Sequence, residues 1–391
     1  MVFLFTITGT DRFALCRHSE ILQEEYGMKI RFLCLVFAVI LLLSGCVVIG
    51  ENVSVEGLFG VKQGREKHPE ISGILELRDF VTQQREEGYT KFSFRYTGLE
   101  ELDPGLVAKM ADVCYAKMIQ ENNIYHLELS PFPGERIVEA YNTENLSTLS
   151  ADEKKVLEIA TDMVTTAKEQ AQDDWELELL LHDMLCRRIT YSDADIYYDT
   201  PENQPRHLSV IGALLDGQAN CQGYTDAFYT LASLAGFEVG RLSVETDSAP
   251  HMVNMILLAG SWYVVDLTYD DSSDDVISYR LFNVGLDMIG EEYSWSEKVE
   301  FNAVTAKSDE NNYYIRNDIV FEDIDQLAEY IAKTWEENGN IQIDAMVKDE
   351  SESEKLSKIL PDVLKKIGRS YSYNIWHSSN GKDSFYTVIF D

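Results

Sequence analysis

The chain has 391 residues, 45% of them hydrophobic and 11% aromatic; this is enough apolar surface to bury a sizeable core and excludes a disordered protein. Length alone argues softly for two or three domains. With 67 acidic residues against 33 basic ones and a formal net charge of -34, the surface repels phosphates; nucleic acid is excluded as the main partner, and basic substrates or cations are only weakly favoured.

The first definite pattern begins at Met28, where the basic stretch Met28-Lys29-Ile30-Arg31 precedes the apolar run Phe32 to Leu43 and then Leu43-Ser44-Gly45-Cys46. The run is short for a membrane-spanning helix, which needs roughly 20 residues, and suits the core of a signal peptide. Its ending resembles the lipobox of bacterial lipoproteins, which implies that Cys46 is lipidated, becomes the mature N-terminus and anchors an extracytoplasmic protein to the bacterial membrane. Residues 1–27 add nothing that a signal needs, so translation is expected to start at Met28. Residues 1–45 are then the signal peptide, and residues 46–72, with Gly57, Gly60 and Gly64 among mixed charges, a tether. The thiols left besides Cys46 are Cys114, Cys186 and Cys221, which offer no disulfide framework; the first two sit in apolar helical contexts and read as core residues.

Residues 73–148 read as a small α/β module. Leu75, Leu77, Phe80 and Val81 have helical spacing, whereas Phe92, Phe94 and Tyr96 alternate as in a strand. Asp103-Pro104 opens a second helix with Leu106, Val107, Met110 and Val113 inside, and strands are expected at Ile124 to Leu129 and Ile137 to Tyr141. The order returns in residues 306–391. There Leu327 to Ile331 stand 250 positions after Leu77 to Val81, followed by a strand at Ile341 to Ala345, a helix at Leu356 to Ile367, and strands at Tyr371 to Trp376 and Phe385 to Phe390. This pattern reads as an internal repeat of a flanking module, with convergent patterning of two α/β modules as the alternative.

In the central residues 149–305, Ser150-Ala151-Asp152-Glu153 is a capping-box start to one helix, and a second runs from Asp174 to Arg188. A polar loop, Tyr191 to Gln204, leads to a third helix with Tyr224, Phe228, Leu231 and Leu234 inside and Gly236 as its stop. Cys221 therefore stands at or near a helix N-terminus, where free amides and the positive dipole end favour a thiolate and can help hold an oxyanion. Strands follow at Phe237 to Val244, Met252 to Leu258 and Trp262 to Leu267, the last two forming a hairpin with His251 and Asp266 at its outer ends. Partners across a hairpin with a two- or four-residue loop have an odd sum, and 251 and 266 add to an odd number, so both side chains share a face; a loop of Leu257 to Gly260 sets them directly opposite. Asp266 then orients the imidazole while His251 takes the thiol proton.

Gly-Gln-Ala-Asn-Cys-Gln-Gly-Tyr around Cys221, His-Met-Val-Asn from His251, and Gly-Ser-Trp-Tyr-Val-Val-Asp-Leu-Thr-Tyr-Asp-Asp around Asp266 together resemble the bacterial transglutaminase-like superfamily. The likeness spans about Trp175 to Glu297 and implies an α+β, papain-like core, a cysteine-bearing helix on an antiparallel sheet, flanked by the two small α/β modules. It maps the catalytic triad to Cys221, His251 and Asp266. Val253 stands where the family commonly has tryptophan, and Asp266-Leu267-Thr268-Tyr269 where it has Asp-Pro-Thr-Trp, changes that spare the triad but put substrate choice in doubt. Asn254 reads as a supporting residue, and Gln222 and Gly223 as fitting the helix start against the cleft. His182 and His207 lack zinc spacing and read as structural or surface residues; Asp270, Asp271, Asp274 and Asp275 lack EF-hand spacing and read as a solvated turn, so no metal or cofactor is expected. The expected activity is that of a cysteine peptidase or amidase acting through an acyl-enzyme on a protein or peptide substrate such as cell-wall peptide. The alternatives are an amine-accepting crosslinking transglutaminase and an inactive surface binding module.

Overall fold

The computed structural model describes residues 62–63, 68–194, 196–198, 200–246, 249–273, 276–289, 293, 306–339, 342–348, 355–366 and 372–390. The expected signal peptide, Cys46 and most of the tether lie outside the described residues, as do Asp274, Asp275, Glu297, Ile341, Ile367 and Tyr371.

The first layer contains β1 (Lys62–Gln63), β2 (Glu70–Ile71), α1 (Ile74–Glu86), β3 (Tyr89–Tyr96), α2 (Pro104–Ala111), β4 (Tyr115–Glu121), β5 (Ile124–Ser130) and α3 (Pro133–Asn142). Asp103 caps α2 by accepting from the Leu106 amide at 2.8 Å, and Pro104 fills the first turn, where a missing N–H costs nothing. The segment Ile137 to Tyr141, expected as a strand, is helical, and the final pair of strands comes one element earlier, as β4 and β5. Pro133 starts α3, and Pro133, Gly134, Ile137 and Val138 fall at helical spacing on its buried face, which outweighs the strand preference of two adjacent β-branched residues. The turn between β4 and β5 is Asn122-Asn123, both at positive φ, where asparagine is tolerated and the tight hairpin turn needs it.

The centre contains α4 (Ala151–Gln170), α5 (Asp174–Cys186), β6 (Thr190–Tyr191), β7 (Gln218–Ala219), α6 (Cys221–Ala235), β8 (Val239–Glu245), β9 (Pro250–Leu258), β10 (Ser261–Val265), the single turn α7 (Leu267–Asp270), β11 (Asp271–Ser273) and β12 (Val276–Ile277). The capping box of α4 is complete: the Glu153 amide donates to Ser150 Oγ, and the Ser150 amide to Glu153 Oε2. Strands β8, β9 and β10 form an antiparallel sheet against which α6 packs, burying Tyr224, Phe228 and Leu231.

The C-terminal elements are β13 (Val320–Phe321), α8 (Ile324–Asn338), β14 (Gln342–Val347), α9 (Lys355–Lys366), β15 (Tyr373–Ser379) and β16 (Ser384–Phe390). Their sheet order is β13-β14-β16-β15, with the first pair parallel and the rest antiparallel. The N-terminal strands β2-β3-β5-β4 have the same order and the same directions. The two ends thus share one connectivity, each around its own apolar core, while a third and larger core fills the centre.

A buried ion pair fastens the N-terminal elements to the centre. Asp226 of α6 meets Arg241 of β8 at 3.0 Å and accepts the amides of Gly134 and Val210, while the Arg241 guanidinium lies between the rings of Phe132 and Tyr229, 4.4 and 3.7 Å from their centroids. A charge so deeply buried persists because hydrogen bonds and aromatic faces replace its water. Helix α3 can come this close only through a residue without a side chain. A methyl group on Gly134 would sit 2.5 Å from Asp226 Oδ1 and 3.0 Å from its carbonyl oxygen. Gly134→Ala is therefore expected to lower stability by about 1–3 kcal/mol, read as a fall in Tm; an unchanged Tm would show that α3 does not bear on this pair.

Candidate active site

The site begins with the start of α6. Asn220 is its N-cap: the side chain accepts from the Gly223 amide at 3.2 Å, so the helix begins at Cys221. At the far end Gly236 takes a left-handed conformation, φ 105°, and stops the helix where expected. Gly223 allows residues 207–209 to lie directly on the first turn, since a methyl there would press against the His207 carbonyl oxygen and sit 2.8 Å from Ala219 Cβ. Gln222 strengthens this contact by donating to the Leu208 carbonyl at 2.9 Å.

His251 and Asp266 come from the sheet. The β9–β10 turn is the two-residue Ala259-Gly260, both at positive φ, and Leu258 pairs with Ser261. Its register sets Val265 opposite Asn254, so Asp266 lies diagonal to His251 rather than directly opposite, as the longer loop would have had it. The shared face survives because the shift is by an even number of residues. His251 Nε2 and Asp266 Oδ2 are 2.7 Å apart, with Asp266 only 1% exposed. With Nε2 engaged, Nδ1 is left for the thiol. Cys221 and His251 line one cleft, where the thiol is among the groups that raise the pKa of the imidazole. The structure therefore brings all three residues together, Cys221 being partly exposed while Cys114 and Cys186 are buried.

Asp266 is also the N-cap of α7, accepting from the amides of Thr268 and Tyr269 at 2.9 and 3.2 Å, and Tyr293 donates its hydroxyl to Oδ2. Tyr269 stacks on the His251 ring at 4.8 Å between centroids, and Tyr293 lies tilted at 5.8 Å. No periodic signal marks Tyr293 in the sequence. The Tyr269 ring covers one face of the imidazole.

Asp270 and Asp271, expected in a solvated turn, face inward. The carboxylate of Asp270 is fully buried, 3.3 Å from His182 Nε2, and accepts the Leu281 amide; Asp271 accepts the hydroxyl of Tyr224. His182 is itself fully buried between Asp270 and Asp183, with Cys186 Sγ 3.9 Å from its ring. Burial works against charge on His182, and Cys186, Asp183 and Asp270 outweigh it, holding its pKa above the ordinary value. This cluster braces the end of α7 opposite Asp266. His207 presents only its backbone to the site, its carbonyl accepting the Asn220 amide. Asn254 supports the helix, bonding the carbonyls of Thr225 in α6 and Gly240 in β8.

No protein-family profile matches the chain, and no curated protein matches it. Among solved structures it is similar to a TGase (12% identity, TM-score 0.26, 46% of this chain and 51% of that one). It is also similar to a protein of Cytophaga hutchinsonii designated a cysteine protease (9% identity, TM-score 0.24, 39% and 61%) and to one of Parabacteroides distasonis designated a protease (8%, TM-score 0.23, 77% and 66%). The likenesses are remote, and the chain spans about half to two-thirds of the length of these structures.

Burial disfavours the imidazolium of His251, but the Asp266 carboxylate and then Cys221 overcome it and push its pKa up to about 10. Because the folded value lies above the unfolded one, near 6.5, the resulting stabilisation is complete below about pH 6.5 and is lost as pH rises toward 10. Histidine NMR titration is expected to show His251 protonated well above neutral pH, and Asp266→Asn to bring its titration back toward the ordinary range with a flatter alkaline stability profile. Tyr293→Phe, which keeps the ring and removes the hydroxyl, should shift the same titration by less; an unaltered titration in both variants would sever Asp266 from the imidazole.

Proposed function

We propose that the protein is a transglutaminase-like thiol enzyme that hydrolyses peptide amides through an acyl-enzyme. The observation that carries this reading is the hydrogen-bonded His251–Asp266 pair, with its free imidazole nitrogen left for a thiol at a helix N-terminus. Cys221 Sγ attacks the amide carbonyl with its proton already held on His251 as the imidazolium, which Asp266 stabilises and orients. The first amides of α6, which no helix carbonyl can bond, are the candidates to hold the oxyanion. His251 returns the proton to the leaving amine, and water then releases the acyl group.

The Leu-Ser-Gly-Cys segment supports a second part of the proposal, that Cys46 carries a lipid and the enzyme works outside the cytoplasm, anchored to the bacterial membrane, on protein or cell-wall peptides. Among the described residues no helix is long and apolar enough to cross a membrane. Cys46→Ala is expected to move the protein out of the membrane fraction; retention there would refute the anchor.

Iodoacetamide near neutral pH is expected to label Cys221 ahead of the buried Cys114 and Cys186, and His251→Ala to remove that preference. In a peptide-library digest, Cys221→Ala abolishes cleavage and His251→Ala lowers it by roughly 10²–10⁴-fold. Equal cleavage by wild type and Cys221→Ala would remove the assignment.

A further inference from the structure

The cleft at Cys221 has a volume of about 300 Å³, and one of its walls belongs to the N-terminal elements: Ala108 and Asp112, four residues apart along α2 and its cap, with Val113 just after. We propose that this wall completes an apolar subsite beside Cys221, and that the substrate places one bulky apolar side chain there. The inference rests on the thiol-enzyme reading and narrows it, naming as substrates flexible peptides with a leucine- or phenylalanine-like residue next to the scissile amide.

Three observations carry it. The cleft floor is apolar, with Val113, Phe132 and Leu208 buried and Met252 beside them. Of the charged side chains along the wall, Lys109 is paired with Glu245 at 3.1 Å, and Asp112 lies 3.3 Å from Arg241, which it shares with Asp226; an anionic substrate group entering the cleft would lose water and meet cations that are already engaged. At the mouth stands Ile196, 63% exposed, a large apolar side chain that folding alone leaves in water. The volume lies at the small end of the range for ligand pockets, roughly 300–1,000 Å³, and suits one or two side chains rather than a folded surface. The net charge of -34 would by itself favour cationic substrates; the apolar floor of the cleft favours an uncharged side chain locally.

The test uses the purified full chain and N-acetylated dipeptidyl chloromethyl ketones ending in Leu, Phe, Lys or Glu. Each alkylates the thiol, forming a thioether as chloride leaves, and the Cys221 adduct is followed by mass spectrometry with iodoacetamide as the reference reagent. The Leu and Phe reagents should react at least about tenfold faster than the Lys and Glu ones, in line with the roughly 10- to 200-fold discrimination of apolar pockets. Ala108→Trp, which fills the subsite, should erase the preference, and Ala108→Lys should move it toward Glu; thermal unfolding identifies a variant that has lost its fold, and the other then decides. Equal rates for the four reagents, or an unchanged preference in a folded Ala108 variant, overturn the subsite alone. Iodoacetamide labelling of Cys221 no faster than that of Cys114 and Cys186 overturns the thiol-enzyme reading, and the subsite with it.

Discussion

A carboxylate held almost wholly out of water is the fixed point of the site. Asp266 is tolerated there because His251, the amides of Thr268 and Tyr269, and the Tyr293 hydroxyl together replace its hydration. Removing any one partner leaves the others to hold a buried charge, so the imidazole, the start of α7 and Tyr293 are positioned by a common demand. The same residue ends β10 and begins α7, so the hairpin register and the helix turn must agree for the carboxylate to reach the ring. At the other end of that turn Asp270 is held against His182, and the Leu281 backbone joins the two acids, its amide bonding Asp270 and its carbonyl the Asp266 amide.

Cys221 belongs to a different element, and its distance from His251 is set by how α6 lies on the sheet. Thr225 donates to the Met252 carbonyl, and Asn254 binds the Thr225 carbonyl in return, so helix and strand are stitched immediately beside both reactive groups. Asp226, the next residue, is neutralised by Arg241 of β8. Consecutive residues of α6 therefore fix its height and rotation over the sheet through polar contacts, which specify position more sharply than apolar packing does.

Features decided within a few residues were legible in the sequence. The Ser150–Glu153 box, Asp103-Pro104, the helix start at Cys221 and the stop at Gly236 each depend on local backbone demands, and each falls within a residue or so of its expected place. Parity alone set His251 and Asp266 on one face, because any even slip of register preserves it. The actual register did not follow, since Ala259-Gly260 and a longer loop satisfy the same alternation. Ile137-Val138 read as strand because their helical partners Pro133 and Gly134 carry meaning only when α3 is packed on α6. Asp270 and Asp271 read as solvated because a run of acids does not disclose that His182, some 90 positions earlier, and Tyr224 wait to receive them.

Chemistry and selectivity are thus encoded at different ranges. Cys221 and its capping residue are adjacent, and His251 and Asp266 are joined by one hairpin, so the grouping of these three side chains can be read from patterns spanning a few dozen positions. The wall facing them comes from α2, more than a hundred residues before Cys221, in a segment without clustered catalytic residue types. Its charged residues are placed by the fold, Lys109 against Glu245 and Asp112 against the Arg241 that also binds Asp226. A sequence counts those charges individually; only the packed structure brings them together with Val113, Phe132 and Leu208 beside Cys221, so the lining of the cleft is a property of tertiary contact rather than of composition.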